Sequence, residues 1–63
     1  MLYKINKDVV FREEMGDLLM LSPKTKKLLI FNKSVANSID YHNNTIDYNN
    51  DEIINILKRE EII

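Results

Sequence analysis

Lys26-Lys27-Leu28-Leu29-Ile30-Phe31-Asn32 is the stretch on which the reading of this chain turns. Its middle, Leu28 to Phe31, is an apolar run, partly β-branched and aromatic, the composition of a strand on a pleated surface. Before it, Ser22-Pro23-Lys24-Thr25 predicts a turn, because proline presets φ and has no N–H to give to a ladder. After it, Asn32 predicts a helix N-cap, since its side-chain oxygen accepts from a free backbone N–H. A strand therefore ends where a helix begins. On alternation, Leu29 and Phe31 share one face and Leu28 and Ile30 the other. We assign Leu29 and Phe31 to the core, because the helix that follows Phe31 must cover that face. If the strands arrive in chain order, this one is last and its far edge is unpaired. Such an edge accepts an extended polypeptide as an additional strand.

Working outward, Val9-Val10-Phe11-Arg12-Glu13-Glu14 predicts a first strand and Leu18-Leu19-Met20-Leu21 a second, central one. Between them stands Gly16, the only glycine, placed by this reading at positive φ in a hairpin turn. Leu2-Tyr3-Lys4-Ile5 reads as an extended lead-in and Asn6-Lys7-Asp8 as a turn. Val35, Ala36 and Ile39 have helical spacing and predict a first helix over about 33–42, ended by Tyr41-His42-Asn43-Asn44-Thr45. Ile46-Asp47-Tyr48 fits a single turn or a short strand. Asn49 with Glu52 resembles a capping box, and Ile53, Ile54, Ile56 and Leu57 give a last helix at about 51–60 its apolar face. Ile62 and Ile63 end the sequence on apolar residues that either pack back on the core or continue in a longer protein. The expected fold class is α+β: one three-stranded antiparallel sheet followed by two or three helices, winged-helix-like, in a single domain over 1–63.

Size and charge limit what such a domain does. A chain of 63 residues buries only about 60% of its unfolded surface. Cysteine is absent, which removes disulfides and thiolate metal sites from its supports and fits a reducing, cytoplasmic setting. No apolar run approaches the roughly 20 residues of a membrane span, and no signal-peptide pattern opens the sequence. The net charge is −1, yet residues 23 to 33 hold Lys24, Lys26, Lys27 and Lys33 with no acid. That is a faint form of a nucleic-acid footprint, and lysines that blunt a sheet edge explain it more simply.

Chemistry is scarce. The one histidine, His42, lies in a polar stretch and reads as solvated or capping rather than as a ligand or base. Glu13 and Glu14 are sequence neighbours on a strand and point to opposite sides, so they do not make an acid–base pair. One glycine excludes a phosphate-cradling loop, and the chain is too small for a water-excluding pocket. The expectation is a protein that is not an enzyme by itself and that implies no cofactor or metal. Recognition remains. The groove it needs would run between the last strand, Lys26, Lys27, Leu28, Leu29, Ile30 and Phe31, and the last helix, whose Ile53 and Leu57 read as core or as core that also lines part of the groove.

The run Val9-Val10-Phe11-Arg12-Glu13-Glu14, then Gly16, Leu19, Pro23, Thr25 and Phe31-Asn32 leading to Ile39, resembles the PqqD-like family, the RiPP recognition elements. These are small winged-helix domains, found alone or fused to enzymes that modify ribosomally made peptides. The resemblance covers roughly residues 3 to 40 and rests on order and spacing, not on any single residue. It implies that the leader of a precursor peptide adds as a strand to residues 26–31, against the last helix, for delivery to a modifying enzyme such as a radical-SAM protein. After Asn43 the chain departs from the family's three helices. Either the middle helix is reduced to a turn, which makes Ile53, Ile56 and Leu57 groove residues, or residues 51–61 are that middle helix. The alternatives are a winged-helix DNA-binding regulator and a dimerisation domain that pairs edge strands.

Overall fold

The computed structural model describes residues 1–63. Its elements are strands β1 (Leu2–Lys4), β2 (Val10–Glu14), β3 (Asp17–Leu21) and β4 (Leu28–Phe31), helix α1 (Lys33–Ala36), strands β5 (Ile39–Asp40) and β6 (Thr45–Asp47), and helix α2 (Asp51–Arg59). The α+β class is as expected, but there are two antiparallel three-stranded sheets, ordered β2-β3-β4 and β1-β6-β5, in place of one. No third helix occupies residues 44–50, where β6 runs instead.

The first sheet is a meander. At its first turn both Met15 (φ 52°) and Gly16 (φ 87°) are left-handed, the pattern of a type I′ turn whose twist matches its flanking strands. Leu18 and Met20 point from β3 into the core and are fully buried. The second turn is closed by Ser22. Its Oγ accepts from the N–H of Lys24 and of Thr25 at 3.2 and 3.1 Å and donates to the carbonyl of Glu60 at 2.8 Å. Thr25 Oγ1 donates to Glu60 Oε1 at 2.6 Å, so this turn is tied to the end of α2.

Asn32 caps α1 as its position predicts, accepting from the N–H of Ser34 and Val35. The helix then stops after one turn, six residues short of position 42. Asn37 closes it, and Ser38 Oγ donates back to the Val35 carbonyl at 2.6 Å. Ile39, expected on that helix, pairs instead with Ile46 across β5 and β6. Asp40 turns the chain by accepting from the N–H of His42 and Asn43 and from Asn43 Nδ2, an Asx turn. The lead-in is a true strand: Leu2, Tyr3 and Lys4 pair with Asp47, Ile46 and Thr45.

Helix α2 matches its predicted span. Its cap is Asn50, one residue after the expected Asn49, accepting from the Ile53 N–H at 3.1 Å. It ends in a Schellman arrangement, with Glu61 at φ 59°, Ile62 N–H on the Leu57 carbonyl and Glu61 N–H on that of Lys58. Ile62 is thereby folded back into the core beside Leu57, both fully buried. The core joins both sheets and both helices through Leu18, Met20, Phe31, Val35, Ile46 and Ile54, among others.

Candidate functional site

Strand β4 pairs with β3 alone. Which of its backbone groups remain free follows from the ladder. The N–H of Ser22 donates to the carbonyl of Lys27 at 2.9 Å, which makes that pair a hydrogen-bonded one. Antiparallel pairs alternate in type. With Met20 opposite Leu29 and Leu18 opposite Phe31, the backbone of Leu29 and Phe31 is spent on β3. The N–H and C=O of Leu28 and Ile30 point the other way, and no hydrogen bond of the chain reaches them.

Side chains complete the division of labour. Phe31 is buried and Leu29 half-buried against the core, as assigned from alternation, whereas Leu28 and Ile30 are exposed. Lys26 and Lys27 stand before the strand, not in it, and Lys26 (φ 63°) belongs to the turn. Of the three residues expected on the helix side, Leu57 is fully buried and is core, which takes it out of any groove. Ile53 and Ile56 are half-buried at the margin of that core. What α2 does bring to this strand is its last turn, through Glu60 on Ser22 and Thr25.

The remaining edges are defended. Outward groups of β2 belong, by the same alternation, to Phe11 and Glu13. Tyr41 sits beside both, its ring 5.5 Å from that of Phe11 and its hydroxyl donating to Glu13 Oε1 at 3.1 Å. Burial, reinforced by the Glu13 carboxylate, raises the Tyr41 pKa above its ordinary value. Strand β2 also carries Arg12, Glu13 and Glu14, charges that discourage pairing. Strands β1 and β5 are three and two residues long. Only β4 presents an edge with four apolar residues and no charge.

Carboxylates and hydroxyls near this edge are engaged structurally. Glu60 is 6% exposed. The Thr25 hydroxyl, helped by Ser22, Lys27 and Arg59, holds its pKa below the ordinary value against the opposing effect of burial. Ser22 Oγ makes three hydrogen bonds and no buried side-chain polar atom lacks a partner. His42 is exposed in the β5–β6 turn, with only its backbone N–H bonded to Asp40.

Val10, Leu19 and Leu21, absent from the expected site, line with Leu28 a shallow depression on the far face of this sheet. The signal was present: Leu18 to Leu21 is apolar at every position, and a strand with one face in water alternates. Scans of the chain against protein-family models, curated proteins and solved structures return no match.

Proposed function

We propose that the protein is a non-catalytic peptide-binding module that takes up an extended segment as a fourth strand beside β4. The observation that carries this is the pair of outward-facing amides and carbonyls at Leu28 and Ile30, on the one apolar, undefended edge. Four such bonds at roughly 1 kcal/mol net each give about 4 kcal/mol, a millimolar affinity. Micromolar binding needs about as much again, which two buried apolar side chains of the peptide supply. The resemblance to the PqqD-like family motivates the ligand: the leader of a ribosomally made precursor, presented to a modifying enzyme such as a radical-SAM protein. A one-turn α1 gives little support to the DNA-binding alternative, since it is too short to lie along a major groove.

The test is an amide-shift titration of the isotopically labelled protein with a candidate leader peptide. Shifts should centre on Leu28 and Ile30, and their amides should become protected from exchange. Ile30→Pro deletes a donor that β3 does not use, so the fold should survive while affinity falls about tenfold or more. Leu29→Pro, in contrast, breaks the β3 ladder. An Ile30→Pro variant that is folded and binds like the parent overturns the proposal.

A further inference from the structure

Charge is unequal at the two ends of the open edge. Lys24, Lys26 and Lys27 precede β4 and Lys33 follows it, all exposed. None of them belongs to an ion pair of the chain, which are Met1–Asp47, Arg12–Glu14 and Arg59–Glu60. At the exit, Asp17 continues β3 to the position opposite Asn32 and pairs with Glu14, so acids stand at that end together with Lys33. At the entrance, Lys24, Lys26, Lys27 and Arg59 face only Glu60 and Glu61. The Glu60 carboxylate is taken up by Thr25 at 2.6 Å and Arg59 at 3.7 Å, and Glu61 has its carbonyl on Asn6. The entrance is therefore the basic end.

The ladder places one of these lysines. Lys27 stands opposite Ser22, with its carbonyl on the Ser22 N–H. Alternation carries its side chain to the side of the sheet shared with Leu29 and Phe31, and its charge helps to keep Glu60 ionised. Its carbonyl being spent on β3, a strand laid on the open edge meets Lys27 as a non-hydrogen-bonded pair, the kind whose side chains approach more closely. We propose that β4 selects an acidic-ended peptide: one that runs antiparallel to it, is apolar opposite Leu29 and Phe31, and carries carboxylates opposite Lys27 and at the next residue. This rests on the peptide reading above and adds to it the chemistry and direction of the ligand. An antiparallel strand lets Leu28 and Ile30 each exchange both bonds with one residue. It also sets the carboxylates at the C-terminal end of the peptide, beside the turn that holds Lys24 and Lys26. Charge complementarity of this kind fixes register more than it adds affinity.

Amide-shift titration of the labelled whole chain with four capped heptapeptides, up to about 1 mM, tests it. The first alternates threonine and valine over five residues, beginning with threonine, and ends in two glutamates. In register, its valines lie opposite Phe31 and Leu29 and its first glutamate opposite Lys27. In the others the terminal pair is glutamine, or lysine, or the order of the whole sequence is reversed. At low salt the glutamate-ended peptide should bind about fivefold more tightly than the glutamine-ended one, and the lysine-ended one most weakly. Salt at about 1 M should erase that order. Lys27→Gln, a change at an exposed side chain, should keep the parent's circular dichroism spectrum and lose most of the glutamate preference. Glutamate-ended and glutamine-ended peptides that bind alike, both shifting Leu28 and Ile30, overturn the inference and leave the peptide reading standing. A reversed peptide that binds as well as the first also overturns it, since direction is part of it. Four peptides that all leave those amides unmoved remove the peptide reading as well.

Discussion

The two sheets bury comparable centres and are built in opposite ways. In β2-β3-β4 every partner is the next strand along the chain, joined by turns of two and six residues. In β1-β6-β5 the first strand waits for a partner more than forty residues away, Tyr3 lying opposite Ile46. Local pairing leaves the first sheet long, apolar on both faces and open at β4. Distant pairing leaves the second short and polar at its rims, with Met1 and Asp47 closing one end. The lesson is that the open apolar edge is displayed by the sheet whose strands need no remote help to form. The other sheet serves to close the core around Ile46.

That contrast breaks first, and most, at the two centres. Leu18→Ala and Ile46→Ala each hollow a fully buried site and should each cost about 2–5 kcal/mol by urea denaturation. For so small a domain this is most of its stability. Because the core is shared, either change should expose the amides of both Leu19 and Tyr3 to hydrogen exchange together. Protection that persists at Leu19 in Ile46→Ala would show that the sheets fold as separate units.

A smaller effect is expected where the two halves are tied. Thr25→Val removes the hydroxyl that holds Glu60 ionised and should lower Tm by a few degrees. The sign of the pH dependence is fixed by direction. A carboxyl whose folded pKa lies below its ordinary 4.5 stabilises fully above that value, and its contribution fades as pH falls through the folded pKa. Acid melting curves should therefore be shallower in Thr25→Val than in the parent, and parallel curves would assign the acid response elsewhere. Least of all should come from Asp47→Asn. It breaks an exposed pair with the Met1 amine at 3.0 Å, for which less than about 0.5 kcal/mol is expected, readable as an unchanged urea midpoint.

Legibility followed the same divide. The meander, its positive-φ glycine, the Asn32 cap, the inward Leu29 and Phe31 and the span of α2 can all be read from neighbours in sequence. Ile39 cannot. Its spacing from Val35 and Ala36 fits a helix, and only pairing with Ile46 draws it into a strand, a tertiary preference overriding a local one. Met15 at positive φ, with its side chain in solvent, was masked because the adjacent Gly16 accounts for the turn alone. Asn49 and Asn50 are equivalent as sequence, and the geometry of the following turn decides between them. At the open edge, the strand and its side-chain faces were legible, but which residues turn their backbone N–H and C=O outward was not. Leu28 and Ile30 emerge only once Ser22 and Lys27 set the phase of the ladder.

The Ser22–Thr25–Glu60 cluster has a thermodynamic corollary. It ties the entrance of β4 to the end of a helix, and Asn32 caps the helix at its exit, so both ends of the strand are anchored within the fold. In the proposed complex, ordering entropy on docking would fall almost wholly on the peptide. Stiffening the peptide, by a ring or a backbone constraint, should thus tighten the complex more than any further bracing of the receptor.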